Sequence, residues 1–385
     1  MREVAVLGIG QTVVGEHWEK SLKELAGEAC ISALLDAGEV HVDSIFVGNM
    51  LSGMLSKQEN VGVAISDWLD LPAEEAIKVE AACGSGAAAF RNALIAVGSG
   101  DVDSALVVGV EKMTESLPIE TTEALATAAD ADYEATHGLS FVSINALVMQ
   151  RYLHVYRWSH TDFAQFSINA HANAVHNPFA RLRTAITKED YSESRMVAAP
   201  INLLDASPIG DGAAAIVLVP VETIKHHNRP LIIVTGSGSA TDTISVHSRK
   251  DPLWLSAAEK SAKKAYQQAR LSPVDIDLFE LHDAFSIISA LSLEACGFAE
   301  RGQAPRLAID GEILTSGRIP ITTRGGLKAR GHPVGATGVY QIVEVVQQLR
   351  GEAGPTQVVN ASIGMAQNIG GSGASIITHI LQKKF

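Results

Sequence analysis

The sequence contains few cysteines, few aromatic residues and few charged residues. Its three cysteines, Cys30, Cys83 and Cys296, have no paired spacing along 385 residues. An odd, low count does not suit a disulfide framework or a zinc site and favours a reducing compartment. The N-terminal residues lead directly into a strand-like run without a signal-peptide pattern. We therefore expect a cytoplasmic protein that binds no metal.

Basic residues and long apolar runs are also scarce. The formal net charge is -13, which argues against general nucleic-acid binding because such binding needs a basic surface. We find no run of about 18 apolar residues, the length that would indicate a membrane span. The 33 glycines and the 46% hydrophobic content instead favour a compact α/β enzyme with a large core.

The order of predicted elements in the first half of the chain recurs in the second half. This order is a strand, a glycine turn, a helix and a second strand, expected at 4–7, 8–10, 21–37 and 42–47 and again at 231–234, 236–238, 256–270 and 274–279. Such alternation predicts mainly parallel sheets covered by helices. We expect two similar layered domains, residues 1–225 and 226–385, with the active site between them.

A second unit is also repeated, and one segment interrupts the pattern. Cys83 precedes a helix and a strand at 104–108, whereas His332 precedes a helix to about residue 349 and a strand at 357–361. Between about 113 and 200 the sequence is richer in acidic, histidine and aromatic residues and shows only short helical patterns. Insertions of this size usually shape a substrate site or an oligomer contact, so we expect an inserted loop domain there.

Cys83 is the strongest candidate for a nucleophile. It stands between an extended run at 77–82 and a small-residue helix start at 84–90. Unpaired N–H groups and partial positive charge at a helix N-terminus favour the thiolate, which is the nucleophilic form. The alternative is a buried structural cysteine at a tight turn.

Two histidines stand at positions where ligands gather in α/β proteins. His282 directly follows an apolar strand, and His332 lies in a glycine-rich loop that leads into a helix. Ligands bind outside the carboxyl ends of strands in open α/β sheets. A single histidine is more often structural, but two of them at duplicated positions, opposite a strand-end cysteine, favour a catalytic site.

Six motifs together resemble the thiolase family over nearly the whole chain. They are Cys-Gly-Ser-Gly at 83–86, Val-Gly-Val-Glu-Lys-Met at 108–113, Asp-Gly-Ala-Ala-Ala at 211–215, His-Asp-Ala-Phe at 282–285, Gly-His-Pro-Val-Gly-Ala-Thr-Gly at 331–338 and Asn-Ile-Gly-Gly at 368–371. The last motif and the His-Asp-Ala-Phe motif look most like the archaeal and sterol-carrier-type branch. The resemblance implies a five-layer αβαβα fold made of two duplicated halves.

The resemblance also implies roles for individual residues. Cys83 would be the acylated nucleophile, and His332 would take its proton and then help hold the thioester oxygen. His282 stands where most thiolases have an asparagine that positions a water in the first oxyanion hole. The backbone N–H groups of Cys83 and Gly370 would form the second oxyanion hole. Ser237 and Gly238 are weaker candidates for contacts with coenzyme A.

One departure from the family pattern affects the carbon chemistry. Thiolases typically use a second cysteine as acid and base on the α-carbon, and the two positions where it can stand are occupied here by Asn368 and Ala284. Neither side chain can act as a base, so His282 or His332 would have to serve. Cys296 follows on a predicted helix and is interpreted as structural.

The implied activity is acyl transfer to and from coenzyme A thioesters, which bind as substrates, with no tightly bound cofactor. Acetoacetyl-CoA formation or its thiolysis is the favoured reaction. The alternatives are a thiolase-like aldolase acting on side-chain acyl-CoA and a non-catalytic lipid-carrier or scaffold subunit. The resemblance further implies a homodimer or tetramer, a small zinc-containing OB-fold partner and an association with hydroxymethylglutaryl-CoA synthase.

Overall fold

A computed structural model describes residues 2–71, 73–224 and 229–384. Its helices are α1 (Leu22–Ala37), α2 (Val61–Trp68), α3 (Ser85–Ser99), α4 (Pro118–Ala126), α5 (Phe141–Tyr156), α6 (Ala164–Ala174), α7 (Lys188–Glu193), α8 (Ser256–Ala269), α9 (Ser286–Ala295), α10 (Ala304–Ile309) and α11 (Thr337–Arg350). Its strands are β1 (Val4–Gln11), β2 (Ser44–Gly48), β3 (Glu75–Val79), β4 (Ala105–Glu111), β5 (Met196–Ala198), β6 (Ile201–Asn202), β7 (Gly212–Pro220), β8 (Leu231–Thr241), β9 (Leu278–Glu280), β10 (Ile363–Gly370) and β11 (Ser375–Lys384). The predicted domain boundary falls at 225–228, outside the described residues, so the division at this point stays a prediction.

One large sheet runs through the described part of the chain in the order β3-β2-β4-β7-β1-β8-β11-β10-β9. β2 is parallel to β3 and β4, and β9 is parallel to β10. The other pairs are antiparallel, so the expectation of mainly parallel sheets is wrong. The four residues between β10 and β11 are one reason, because a connection this short cannot make a parallel crossover.

Helices and the two halves of the sheet alternate in five layers, as the resemblance implies. On one side, buried residues of α1 such as Ala29 pack against β2, β4 and β7. On the other side, α8 and α9 pack against β10 and β11, with Leu291 at the centre. Between them, Phe90 of α3 and Val343 of α11 share a core with strands from both halves. Within the described residues, the two halves of the sheet join directly through the short pairing of β1 with β8.

Both predicted glycine turns are wrong, because these glycines lie inside strands. Gly10 is in β1, and a Cβ at this position would overlap the carbonyl oxygen of Ala29 in α1. Gly238 is in β8, and a Cβ there would overlap the carbonyl oxygen of Ser261 in α8. Each glycine lets a helix lie directly on a strand. The repetition of this contact in both halves agrees with a duplicated unit.

We expect the substitution Gly10→Ala to destabilise the fold by about 1–3 kcal/mol, because the added methyl group forces α1 away from β1. Urea denaturation followed by circular dichroism measures this loss. Gly15→Ala is the matched control, since a Cβ at Gly15 would meet only the His17 ring, at 3.9 Å. An equal loss of stability in both variants would contradict the contact between strand and helix.

The strand predicted at 357–361 is also wrong. The chain forms a turn there, and β10 begins two residues later, at Ile363. The Gln348 side chain accounts for the difference, since it accepts a hydrogen bond from the Val358 N–H and donates one to the Thr356 carbonyl. These bonds occupy backbone groups that a strand would use in its ladder.

The inserted segment between about 113 and 200 folds into helices α4 to α7 and the short hairpin of β5 and β6. α5 has 16 residues and is longer than the short patterns that the sequence indicated. Tyr152, Phe163 and Phe166 of this segment are buried in the same core as α8 and α9. The insertion therefore packs as part of the second outer layer.

Candidate active site

A tight turn between β3 and α3 presents Cys83. Ala82, just before it, has a φ of 52°, which is uncommon for a residue other than glycine. The Ser85 hydroxyl accepts a hydrogen bond from the Ala81 N–H at 2.9 Å and donates one to the Ala82 carbonyl at 2.6 Å. The turn is thus held by a side chain from the first residue of α3.

The three residues that the sequence selected meet at one cavity of about 260 Å³. Cys83, His282 and His332 all line it. The two imidazole rings are perpendicular, with centroids 5.1 Å apart. The cysteine comes from the first half of the chain and both histidines come from the second. The structure therefore brings together the candidates from duplicated positions.

The helices that follow Cys83 and His332 begin in direct backbone contact. A Cβ at Gly86 of α3 would lie 2.8 Å from the Gly335 carbonyl oxygen. A Cβ at Gly338 of α11 would overlap the backbone nitrogen of Ala87. Only glycine allows this approach, which places the Cys83 turn beside the His332 loop.

Hydrogen bonds determine the tautomer of His332. The Thr337 hydroxyl oxygen lies 2.7 Å from Nδ1 of His332 and 3.0 Å from the Pro333 carbonyl oxygen. A hydroxyl has one hydrogen, and a carbonyl can only accept. Thr337 therefore donates to Pro333 and accepts from Nδ1–H. Nε2 of His332 carries no proton and is available as a base.

The opposite tautomer is assigned to His282. Its Nδ1 lies 3.4 Å from the backbone nitrogen of Ile369 and 3.0 Å from Nδ2 of Asn368. A backbone N–H can only donate, so Nδ1 accepts and Nε2 carries the proton. The cavity thus contains one imidazole able to accept a proton and one able to donate a hydrogen bond.

Both imidazoles are neutral at physiological pH. Burial lowers the pKa of His282 to about 3, and the positive charge of Arg330 lowers it further. Burial also lowers the pKa of His332 well below its ordinary value, with further contributions from His282 and Arg330. A neutral His332 can accept a proton from a thiol without first losing one of its own.

The expectation of a lowered thiol pKa at Cys83 is wrong in sign. Burial and, to a lesser degree, the carboxylate of Glu111 raise the pKa of the Cys83 thiol to about 12. The backbone amides of Cys83 and Gly371 act in the opposite direction but do not offset burial. The resting site therefore holds a protonated thiol beside a neutral base.

Buried charges lie behind the two histidines and connect their segments. Asp283 accepts hydrogen bonds from the backbone N–H groups of Leu327 at 2.6 Å and Lys328 at 3.3 Å. Arg330, two residues before His332, pairs through Nε with Glu344 at 2.7 Å, and both side chains are fully buried. Because unpaired charges are costly in the interior, these contacts restrict how the two segments can move relative to each other.

The two positions at which other thiolases carry the second cysteine, Ala284 and Asn368, lie in different surroundings. Ala284 lines the cavity and presents only a methyl group. Asn368 is buried in β10 behind His282, where its amide contacts the imidazole. Cys296 is buried at the end of α9, accepts a hydrogen bond from Gln367 and does not line the cavity. A structural role for Cys296 agrees with this position.

Of the remaining candidates, Gly370 lies beside the site, whereas Ser237 and Gly238 lie away from it. Gly370 packs against the Cys83 turn, and the neighbouring Gly371 lines the cavity. Ser237 is buried within β8, where it accepts a hydrogen bond from Arg91 at 2.8 Å. Gly238 faces α8. Neither Ser237 nor Gly238 lines the cavity, so the structure does not bring them to the site.

Much of the cavity wall comes from residues that the sequence did not single out. Its apolar part consists of Leu125, Phe141, Val142, Ile209, Phe285, Ile288, Val334 and Ile369. Thr122, Ser140, Asn145 and Ser207 add polar groups. The inserted segment therefore does shape the site, as expected. A signal existed for Phe285, Val334 and Ile369, which lie inside the motifs at 282–285, 331–338 and 368–371, and for Ser207 and Ile209, which stand just before the motif at 211–215.

We expect Thr337→Val to lower kcat about tenfold, because a valine cannot accept the Nδ1–H of His332 and the tautomer is no longer determined. Steady-state kinetics measures this loss, and Thr337→Ser is the control that restores the acceptor. The serine variant should recover most of the activity. Equal activity of the valine variant and the unmodified enzyme would show that Thr337 does not orient His332.

None of the helices within 2–71, 73–224 and 229–384 is long and apolar enough to cross a bilayer. Over the same residues, no cluster of three or more histidine, cysteine or acidic side chains is arranged to hold a metal ion.

Comparisons with known proteins place the chain in a family. Residues 4–222 match the family described as "Thiolase, N-terminal domain", and residues 238–383 match "Thiolase C-terminal domain-like". An acetyl-CoA acetyltransferase of Methanothermobacter thermautotrophicus is 43% identical over 385 residues, with 100% of both chains covered. An acetyl-CoA acetyltransferase of Methanocaldococcus jannaschii is 37% identical over 393 residues, also with 100% of both covered.

A solved structure described as "Ltp2-ChsH2(DUF35) aldolase" has the same fold, with a TM-score of 0.86 at 23% identity, covering 99% of this chain and 98% of that chain. The layered fold and the cavity with its cysteine and two histidines define the class, an α/β enzyme of the acyltransferase type. The chain belongs to the thiolase family, as its motifs predicted.

Proposed function

We propose that the protein is a thiolase that moves acyl groups between coenzyme A thioesters through an acyl-enzyme on Cys83. The observation that carries this proposal is the pair of opposite tautomers at the Cys83 cavity. His332 offers a lone pair to the thiol, and His282 offers an N–H to an oxyanion. The two relatives described as acetyl-CoA acetyltransferases support acetyl-CoA as a substrate.

In the first half-reaction, the Cys83 sulfur attacks the thioester carbon while Nε2 of His332 takes the thiol proton. The tetrahedral oxyanion accepts hydrogen bonds from preorganised donors, for which the backbone amides of Cys83 and Gly370 are the proposed pair. The carbon–sulfur bond to coenzyme A then breaks, and His332 returns the proton to the departing sulfur. Coenzyme A leaves as a thiol, and His332 is neutral again.

In the second half-reaction, a base must remove a proton from the α-carbon of the second thioester. His332 is the proposed base because its Nε2 is unprotonated, whereas His282 presents an N–H and Asn368 has no basic group. His282 would then hold the enolate oxygen in the first oxyanion hole while the α-carbon attacks the acyl carbon on Cys83. The carbon–sulfur bond to Cys83 breaks, and His332 returns the proton to the Cys83 sulfur. This assignment replaces the second cysteine of other thiolases with one histidine that acts in both half-reactions.

Acetoacetyl-CoA formation or thiolysis is the favoured reaction, and a ladder of 3-ketoacyl-CoA chain lengths tests it. We expect thiolysis at the shortest length, with Cys83→Ser as the inactive control. Intact-mass measurement after incubation with acetyl-CoA should show an acetyl adduct on Cys83. A protein without the adduct that still cleaves a side-chain acyl-CoA would instead be a thiolase-like aldolase. Thiolysis at no more than the background rate for every 3-ketoacyl-CoA chain length would support the non-catalytic lipid-carrier or scaffold subunit.

The pH dependence of kcat/KM should lack an inflection near pH 6.5, the ordinary pKa of histidine. Catalysis needs a neutral His332, and its lowered pKa moves the acid limb to lower pH. The Cys83 thiol, with a pKa raised to about 12, adds no alkaline limb in the usual assay range. Measuring kcat/KM between pH 5 and 9 tests whether either an acid limb or an alkaline limb is present. An acid limb with its midpoint between pH 6 and 7 would contradict a neutral buried base.

The proposal extends to assembly and location. We propose a homodimer or tetramer, a small zinc-containing OB-fold partner and an association with hydroxymethylglutaryl-CoA synthase. The similar solved structure, whose description joins Ltp2 to ChsH2(DUF35), is an example of this fold in a complex. Light scattering of the purified protein tests the oligomer, and full activity with normal coenzyme A affinity in a dimer without a bound subunit would count against a required partner. Three free thiols suit a cytoplasmic location.

A further inference from the structure

A buried carboxylate at the end of β4 joins the segments that surround Cys83. Glu111 is fully buried and accepts four hydrogen bonds through its two carboxylate oxygens. The donors are the backbone N–H groups of Met50 at 2.9 Å, Leu51 at 3.0 Å and Gly335 at 2.9 Å, together with Nδ2 of Asn49 at 2.9 Å. One side chain therefore ties the loop after β2 to the loop that carries His332.

The hydrogen bonds indicate that Glu111 is ionised. Each of its oxygens accepts two N–H bonds, so neither faces an acceptor for a carboxyl proton. Burial raises the pKa of Glu111, and the amides of Met50, Leu51 and Gly335 oppose this effect by favouring the carboxylate. The net pKa is about 7. The Lys78 ammonium also favours the charged form, although its own hydrogen bonds go to Ser52 and Glu59.

The surroundings of Cys83 make this charge effective. Cys83 packs in a small apolar cluster with Leu51, Met113 and Val334. Leu51 is itself a donor to Glu111, Met113 follows Glu111 by two residues, and Val334 directly precedes the donor Gly335. A charge acts more strongly across such a low-dielectric region than across water. The Cys83 sulfur therefore lies in an apolar environment that is bordered by a fixed negative charge.

The other titratable groups that face the thiol carry less weight. Glu80 is exposed at the end of β3, where water screens its charge. His282 and His332 are neutral, because burial and the positive charge of Arg330 lower their pKa values. Glu111 is thus the buried full charge that acts on Cys83.

We propose that Glu111 is a positioning residue that keeps Cys83 as a thiol, so that the sulfur becomes nucleophilic only when His332 takes its proton. A carboxylate that disfavours free thiolate protects the sulfur from adventitious electrophiles and oxidants, because these react with the thiolate. Its bond to the Gly335 amide fixes the His332 loop at the same time. The protective role is independent of the proposed acyl transfer, whereas the role in catalysis rests on it.

The test is the pH dependence of alkylation of Cys83 by iodoacetamide, without any acyl-CoA. The sulfur–carbon bond forms as iodide leaves, and the thiol proton passes to solvent. Peptide mass mapping separates Cys83 from the buried Cys30 and Cys296. We expect Glu111→Gln to lower the midpoint by at least about one pH unit, which means about tenfold faster alkylation at pH 7. Thermal melting confirms that the variant is folded.

Two matched variants and the unmodified enzyme complete the design. Glu111→Asp keeps the charge and should retain the high midpoint. Glu80→Gln removes an exposed charge and should shift the midpoint much less than Glu111→Gln does. The proposal is overturned if folded Glu111→Gln keeps the original midpoint, or if Glu111→Asp shifts as far as Glu111→Gln. If Glu111→Gln does not fold, the smaller neutral variant Glu111→Asn takes its place, with a lowered midpoint supporting the proposal and an unchanged midpoint overturning it. A midpoint of the unmodified enzyme at or below that of free cysteine, about 8.5, also overturns the proposal.

Discussion

Cys83→Ser should abolish the acyl-enzyme and reduce thiolysis by at least about 1,000-fold, the scale of loss when a nucleophile is removed from a unit of cooperating groups. A serine hydroxyl is far less acidic than a thiol, and the neutral His332 is too weak a base to activate it at a useful rate. The residual rate would come from substrate binding and the oxyanion donors alone. Intact-mass analysis with acetyl-CoA and steady-state thiolysis measure the two losses.

Cys296→Ala is the matched control for this substitution. Cys296 is the cysteine of the second half of the chain. Its sulfur accepts a hydrogen bond from Gln367 and does not line the cavity. We expect self-acylation and condensation to persist in this variant, with a modest loss of stability. Near-complete loss of condensation with intact self-acylation would show that Cys296 supplies the missing acid and base.

His332→Ala should lower kcat by about 100- to 10,000-fold, the range in which a positioned general acid–base contributes. Without Nε2 of His332, the thiol must ionise unaided. Because burial and Glu111 raise its pKa to about 12, very little thiolate forms at pH 7. The residual rate should therefore rise by about tenfold per pH unit through neutral and mildly alkaline pH, whereas the unmodified enzyme stays level. Rates between pH 6 and 10 measure the slope.

His282→Gln distinguishes the two imidazoles. A glutamine amide can still donate a hydrogen bond to an oxyanion, so we expect a smaller loss and no change of slope with pH. If His282→Gln produced the steep pH dependence and His332→Ala did not, the assigned roles of the two histidines would be reversed.

The sequence was sufficient to locate the site because its chemistry stands in short, continuous motifs. Cys83 precedes a helix start, and His282 follows a strand directly, so strand ends alone indicated that they would meet. The ionisation states could not be read in this way. The direction of the Cys83 pKa shift depends first on burial, which the fold creates, and then on Glu111, which is 28 positions away in the chain and reaches the site only through the fold.

The misread segments have a common physical origin. Gly10 and Gly238 look like turn residues because glycine is favoured in turns, yet here each is needed for contact with a helix. The segment at 357–361 has strand-like residues, but Gln348 occupies its backbone groups. In each case a contact with a residue distant in the sequence determined the local structure, so the local sequence preference gave the wrong prediction. Ser237 was assigned to the site through the same error.

The glycine contact between the first turns of α3 and α11 separates the geometry of the reacting groups from the shape of the substrate pocket. Because backbone touches backbone at Gly86 and Gly338, the spacing between the backbone segments that carry Cys83 and His332 does not depend on the packing of other side chains. The wall formed by Phe141, Phe285 and Ile288 is built from side chains and can be exchanged without changing that spacing. Substrate range in this scaffold can therefore diverge while its reaction chemistry stays constant.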